Sequence, residues 1–232
     1  NRSMKTDFFR RKTLALAGVL SAATVLSGIF YAHALTRAIV ADVSETFYFL
    51  VSEEENVPAS AWDAYLGGGA GYVMSRGKTE YAVLSCYFNE TDARTVKNNL
   101  GNKKISAAVL EESGGMLYFK KRSEKQNAEK VAGCFRTMGS CIRLLYDIAN
   151  SAETGEYTQQ ALKRSLSAVR GVLSRLAEEN RGGVFTEISA CASRSALKLS
   201  EIVRGTVYAK DFRYLQVSLS DSYITLAEEF SI

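Results

Sequence analysis

The stretch YAVLSCYF, residues 81–88, is followed directly by NETDARTVKNNL, residues 89–100. Aromatic and β-branched side chains are concentrated in the first part, which is typical of a β-strand. The second part places Ala93, Val96 and Leu100 three or four residues apart, and this spacing is typical of one face of a helix. The stretch therefore predicts a strand that runs directly into a helix.

Short strands and helices alternate on both sides of this stretch. The further predicted elements are a strand at 47–52, a helix at 58–66, and strands at 70–75, 106–111 and 116–120. Ser-Arg-Gly-Lys between the second and third strands predicts a hairpin connection, and a glycine ends the second helix. The order is βαβ followed by βαβ, which predicts a ferredoxin-like βαββαβ domain over residues 47–121.

Apolar residues recur at helical spacing throughout residues 122–232. Four stripes of this kind run over residues 131–148, 157–176, 184–202 and 212–230. Glycine-containing breaks separate them, and such short connections favour an antiparallel bundle. We therefore predict an all-α domain of about four helices, with the stripes forming its core.

Residues 13–35 contain no charged side chain and are long enough, as a helix, to cross the hydrocarbon core of a bilayer. Five basic residues precede this segment and only Arg37 follows it closely, which predicts a cytoplasmic tail at 1–12 and an extracytoplasmic body. The alternative is a cleaved signal peptide, since Ala32-His33-Ala34 fits a cleavage site. In both alternatives the chain that follows residues 13–35 lies outside the cytoplasm.

The predicted fold class is α+β. It comprises an N-terminal transmembrane helix, a linker at 36–46, the ferredoxin-like βαββαβ domain and the all-α helical bundle, in that order. The predicted localisation is the cell membrane, with the bulk of the chain outside the cytoplasm.

The net charge of +4 is confined to the N-terminus. Beyond residue 12 the chain has 24 basic and 24 acidic residues, and no basic cluster. Proteins that bind nucleic acid need clustered Lys and Arg against the phosphates. Nucleic acid is therefore excluded as a partner.

Few residues are suited to catalysis or metal binding. His33 is the only histidine, so the exported part has no Ser-His-Asp or Cys-His arrangement, and no CxxC pair occurs. The glycine cluster at 67–71 does not fit a phosphate-binding loop, because its spacing to Lys78 is wrong and a strand follows. We predict no catalytic residue, no metal and no cofactor. Cys134 or Cys141 could each pair with Cys191, and the sequence leaves this open.

Residues 81–88, the spacer at 89–92 and the helix that begins at Ala93 resemble the second half of a sporulation-related-repeat (SPOR) domain. Residues 47–52, the short helix after them and residues 69–73 are similar to its first half. The resemblance implies a non-catalytic protein that binds peptidoglycan glycan strands during division or sporulation. A membrane anchor before an exported domain of this kind is a common layout in that family.

The resemblance implies a sheet with one face under two helices and one face open to a glycan. Alternation along the strands places Phe49, Val51, Val83 and Ser85 against the helices. It places Tyr48, Leu50, Ser52, Ala82, Leu84 and Cys86 on the open face. The predicted glycan-binding residues are Tyr48, Leu50, Ser52, Tyr72, Arg76, Leu84, Tyr87 and Tyr118.

The alternative function is a protein-interaction scaffold of the cell envelope. Leu50 stands where SPOR repeats often have a polar residue and Cys86 where they usually have glycine, and both changes favour a sheet without glycan affinity. In that case the helical region at 122–232 would bind an envelope protein.

Overall fold

The computed structural model describes residues 39–119, 125–155 and 157–230. Over these residues the fold is α+β, with six helices and two sheets. The strands are β1 (Ile39–Asp42), β2 (Thr46–Ser52), β3 (Tyr72–Arg76), β4 (Thr79–Tyr87), β5 (Ala107–Ser113) and β6 (Met116–Phe119). The helices are α1 (Val57–Leu66), α2 (Glu90–Asn102), α3 (Lys125–Glu153), α4 (Gln159–Glu179), α5 (Thr186–Val203) and α6 (Ala209–Phe230).

The larger sheet has the strand order β3-β4-β2-β5, and all of its neighbours are antiparallel. With α1 between β2 and β3, and α2 between β4 and β5, this is the predicted βαββαβ connectivity. Asn56 caps α1 by accepting a hydrogen bond from the backbone N–H of Ala59 at 3.2 Å, and Asn89 caps α2 through the N–H of Asp92 at 2.8 Å. Local sequence therefore fixes where both helices begin.

The smaller sheet pairs β1 with β6. β1 lies within residues 36–46, which the sequence predicts to be a linker. Ala41 of β1 and Leu117 of β6 are buried and belong to the same core as the helices. The pairing is continued by the N–H of Val43, which donates to the carbonyl of Gly115 at 3.1 Å. This part of the linker is thus a packed strand.

The side chains of β2 show which helices cover each face of the larger sheet. Phe49 and Val51 belong to the core that continues into the C-terminal helices. Leu50 is equally buried but lies outside that core, on the face that α1 and α2 cover. The expected assignment, with Phe49 and Val51 against α1 and α2 and Leu50 on an open face, is therefore wrong.

A bulge adds a second difference from strict alternation. The pairing of β2 with β4 shifts between Leu50 and Val51. As a result Cys86 lies opposite Phe49 and shares its face, whereas the sequence places Cys86 with Leu50. The bulge could not be read from residue types alone.

Helix α6 covers the face of the sheet that carries Phe49. The ring of Phe47 lies 5.4 Å from the ring of Tyr223, measured between centroids. The side-chain amide of Gln216 donates to the backbone carbonyl of Cys86 at 3.1 Å, and both residues are buried. Both faces of the sheet are therefore covered by helices, and the expected open face does not exist in this conformation.

The four C-terminal helices share one hydrophobic core with the sheet. α4 packs mainly on α5 and α3 mainly on α6, while α5 and α6 approach each other much less closely. The predicted apolar stripes supply this core, since Val131, Leu166, Ile188 and Phe212, one from each helix, are fully or almost fully buried.

The predicted fold class is wrong in its N-terminal part. Within residues 39–119, 125–155 and 157–230, no helix is both long enough and apolar enough to cross a bilayer. The predicted cytoplasmic tail at 1–12 and the predicted span at 13–35 lie outside the described residues, as does His33.

Candidate ligand-binding groove

The eight predicted glycan-binding residues do not form one surface. Tyr48, Leu50, Ser52 and Leu84 lie on the side of α1 and α2, and Leu50 is fully buried there. Ser52 and Leu84 line a cleft of about 290 Å³ beside α1 and α2. Two of the eight residues therefore face a common space on that side.

The other four residues are dispersed. Tyr72 and Arg76 lie beneath α6, and both bind the carboxylate of Asp221. Tyr87 is half-buried and accepts a hydrogen bond from the hydroxyl of Ser85 at 2.9 Å. Tyr118 is 62% exposed, but it belongs to β6 in the smaller sheet. No single ligand face joins these positions.

A groove of about 420 Å³ lies between α1, β3, α5 and the beginning of α6. This volume lies within the range typical of small-molecule and cofactor sites. Its lining combines aromatic rings with a few charged groups. The lining residues are Pro58, Ala61, Trp62, Tyr65, Gly71, Val73, Lys198, Ile202, Asp211 and Tyr214.

Aromatic rings form two sides of this groove. Trp62 is the only tryptophan of the chain and is 61% exposed. Its ring stacks on that of Tyr65, with centroids 6.2 Å apart and planes inclined by 26°. Tyr214, on α6, is held edge-on against Tyr72 at 5.6 Å between centroids. The groove thus offers a flat, solvent-accessible aromatic surface.

A buried carboxylate lies at the base of the groove. Asp211 is 8% exposed and accepts hydrogen bonds from the hydroxyl of Tyr65 and from the backbone N–H of Tyr208, both at 2.8 Å. The ammonium of Lys210 lies 4.1 Å from the centre of the Tyr65 ring. Burial, followed by the hydrogen bond to Asp211, raises the pKa of Tyr65 to about 12, so this phenol stays protonated near neutral pH.

The groove depends on a glycine. Gly71 has a φ of 60°, and a Cβ at this position would lie 2.5 Å from both the carbonyl oxygen of Ala61 and the Cβ of Tyr65. Only glycine combines this backbone conformation with so close an approach. Gly71, within the glycine cluster of the sequence, therefore lets β3 approach α1 closely.

The arrangement is suited to binding. Its charged groups are one carboxylate, occupied by two hydrogen bonds, and the ammonium of Lys198, which lies 5.5 Å from the centre of the Tyr214 ring. The described residues contain no group of three or more metal-ligating side chains. Aromatic surface, hydroxyls and single charges are what a non-covalent site uses to orient a ligand.

None of the side chains that give this groove its character was predicted from the sequence. Trp62 could have been singled out, because it is the only tryptophan of the chain and stands four residues before Leu66 on a short predicted helix. Asp211 and Tyr214 offered no such signal, since they approach Trp62 only through tertiary packing.

No family model matches this chain, and no curated protein or solved structure matches it either. The geometry of the groove is therefore the basis on which a ligand can be assigned.

Proposed function

We propose that this protein is a non-catalytic binding protein of the cell envelope and that it holds peptidoglycan glycan strands in the aromatic groove. The observation that carries the proposal is Trp62, which is exposed and stacked on Tyr65 at the edge of the groove. The C–H faces of a pyranose ring are apolar and pack flat on aromatic rings, while its hydroxyls bind polar groups around the rim.

The charges of the groove agree with such a ligand. Glycan strands stripped of stem peptides carry isolated lactyl carboxylates on otherwise uncharged sugars. Lys198 lines the groove and Lys210 lies above the Tyr65 ring, so each ammonium can pair with a separate carboxylate. A chain with 24 basic and 24 acidic residues beyond residue 12 provides no general attraction for polyanions.

The resemblance to SPOR repeats supports a glycan as the ligand, but it does not support the sheet face as the surface that binds it. The sheet face that it implicates is covered by α6, and Leu50 is buried under the opposite layer. The proposal therefore assigns the glycan to the groove beside α1. It retains an extracytoplasmic location and a role in division or sporulation, both as predicted from the sequence.

The test is cosedimentation of the purified protein with amidase-treated cell-wall sacculi. Trp62 is the only tryptophan, so its emission reports directly on a ligand in the groove. We expect saturable binding with a change in emission, and a loss of about tenfold or more in affinity for Trp62→Ala. Leu197→Ala is the control, because Leu197 is 64% exposed on α5 and does not line the groove.

Two results would count against the proposal. If the unaltered protein does not bind sacculi, glycan binding itself is wrong. If Trp62→Ala binds as well as the control variant does, the glycan binds elsewhere.

A protein-interaction scaffold is the second candidate. It is favoured by large apolar side chains that are exposed on the elements around the groove, namely Leu66 on α1, Leu197 on α5 and Tyr208 just before α6. Chemical cross-linking in intact cells would distinguish it. A partner joined through these positions, together with no affinity for sacculi, would replace the glycan proposal.

A further inference from the structure

A second cavity, of about 410 Å³, opens between α5 and α6, two helices that pack against each other much less closely than α4 packs on α5 or α3 on α6. Its floor is formed by leucines from all four C-terminal helices. Each of them is at least 95% buried, and they are Leu145, Leu173, Leu199, Leu215 and Leu219. The buried thiol of Cys191 also lines the cavity, so a ligand that reaches this floor meets aliphatic side chains and one thiol.

The rim of the cavity is polar and carries positive charge. Hydroxyls of Ser195, Ser218 and Ser222 line it, together with Arg194 and Lys198. Arg194 and Lys198 are one helical turn apart on α5, and both are exposed. Among the described residues no carboxylate lines the cavity itself, although Glu201 lies 3.9 Å from the ammonium of Lys198. The rim therefore carries the guanidinium of Arg194 and an ammonium that Glu201 partly neutralises.

We propose that this cavity binds a single-chain anionic amphiphile, with the acyl chain on the leucine floor and the acidic head group at Arg194 and Lys198. An aliphatic floor favours a hydrocarbon chain, since a sugar or peptide placed there would bury hydroxyl or amide groups without partners. Arg194, with Lys198 beside it, favours an anionic head, and the hydroxyl of Ser195 can donate to its oxygens, whereas that of Ser222 already donates to the carbonyl of Ser218.

This inference does not depend on the glycan proposal. The two sites meet at Lys198 and Tyr214, which line both the cavity and the groove. Arg194 and Ser195 line the cavity but not the groove, and Trp62 lines the groove but not the cavity. Substitutions at these positions therefore test each site separately.

The probe is dodecanoate, which is titrated into the delipidated whole chain and followed by calorimetry. Dodecyl phosphate and a dodecanoyl lysophospholipid are measured in parallel, and 1-dodecanol is the neutral analogue. We expect one site per chain that prefers the anions to dodecanol. Arg194→Ala should weaken dodecanoate binding about threefold to fivefold and leave dodecanol unchanged. Arg170→Ala, which removes an exposed arginine of α4 away from the cavity, is the matched control.

Ser195→Phe tests the cavity itself, because the ring would occupy its rim. We expect it to abolish binding of every amphiphile while the circular dichroism spectrum and the thermal midpoint stay close to those of the unaltered protein. If Ser195→Phe does not fold, Ser218→Phe on the opposite helix gives the same test. If dodecanoate and dodecyl phosphate bind with equal affinity, the site recognises any anionic head group. If the lysophospholipid binds more tightly than both, the natural ligand comes from a membrane.

The proposal is overturned if the unaltered chain binds none of these ligands, if it binds dodecanol as tightly as dodecanoate, or if the blocked variant that folds still binds. Each of these results leaves cosedimentation with sacculi unaffected, so failure here and failure of the glycan proposal are distinguishable.

Discussion

Tyr72 on β3 donates a hydrogen bond to the carboxylate of Asp221 on α6 at 2.7 Å, across 149 residues of sequence. The same carboxylate accepts a bond from Arg76 at 2.5 Å, and Arg76 also binds Glu112 on β5. Burial and the negative charge of Asp221 raise the pKa of Tyr72, so the phenol stays protonated. One carboxylate thus joins the last described helix to the sheet.

Asp221→Ala should destabilise the protein by about 1–3 kcal/mol, because it leaves Tyr72 without its acceptor and Arg76 with only one of its two carboxylates. Burial alone would lower the pKa of Arg76, but its hydrogen bonds to Glu112 and Asp221 raise it instead. The guanidinium stays charged after the substitution, because arginine is effectively always protonated and Glu112 remains beside it. The measurement is urea unfolding followed by circular dichroism. Asp147→Ala, at an exposed position of α3, is the control. Equal midpoints for the two variants would contradict the prediction.

Gly71→Ala and Gly171→Ala should change stability in opposite directions. At Gly71 the new Cβ meets backbone and Tyr65 at 2.5 Å with φ at 60°, and we expect a loss of about 1–3 kcal/mol. At Gly171, exposed within α4, a Cβ has no close neighbour, and the higher helix propensity of alanine should add about 0.5–1 kcal/mol. Thermal midpoints of the two variants check the signs. A gain in stability at Gly71 would mean that β3 does not pack against α1 as described.

Alkaline pH should weaken the fold through buried tyrosines. The ordinary pKa of tyrosine is 10.0, and the pKa of Tyr65 is raised to about 12, while those of Tyr72 and Tyr223 are also raised, chiefly by burial. The unfolded chain therefore loses these protons at lower pH than the folded chain does. Stability is fully present below pH 10 and is lost as pH rises towards 12. Urea midpoints measured across this range check the slope, which should be shallower for Tyr65→Phe. A midpoint that does not fall with rising pH would contradict the prediction.

The four cysteines should behave as shielded, unpaired thiols. Cys86, Cys134, Cys141 and Cys191 are all free and buried, so neither of the disulfides left open by the sequence is formed. Burial raises the pKa of Cys86 to about 12 and that of Cys141 to about 11, which suppresses the reactive thiolate. A colorimetric thiol reagent should react slowly with the native protein, and with four thiols once guanidinium chloride is added without reductant. Two reactive thiols in denaturant would indicate a disulfide instead.

Local sequence was sufficient for the elements. Residues 81–88 and 90–100 predict what the structure has as Thr79–Tyr87 and Glu90–Asn102, because strand composition, helical spacing and the Asn89 cap act over a few residues. The antiparallel order β3-β4-β2-β5 is consistent with the predicted ferredoxin-like domain. The elements need no distant contact, whereas this order includes the pairing of β2 with β5, which are far apart in sequence.

The surface that carries the aromatic groove could not be predicted from local sequence. Alternation correctly separates Leu50 from Phe49 but does not say which helices cover each face, and α6 is distant in sequence from the sheet that it covers. The bulge between Leu50 and Val51 then changes the side on which Cys86 lies. Tertiary packing therefore decides which aromatic residues stay exposed, and Trp62 is among them.

The position of α6 also has a consequence for biosynthesis. The ribosome must add on the order of a hundred residues after β5 before α6 exists, which takes about 5–20 s at typical elongation rates. During that interval Phe49 and Val51 would lack the helix that covers their face of the sheet. Ribosome-bound chains stalled before α6 should accordingly be cleaved by protease much faster than chains stalled after it. Synthesis of α6 is thus the step that completes the cover over this face of the sheet.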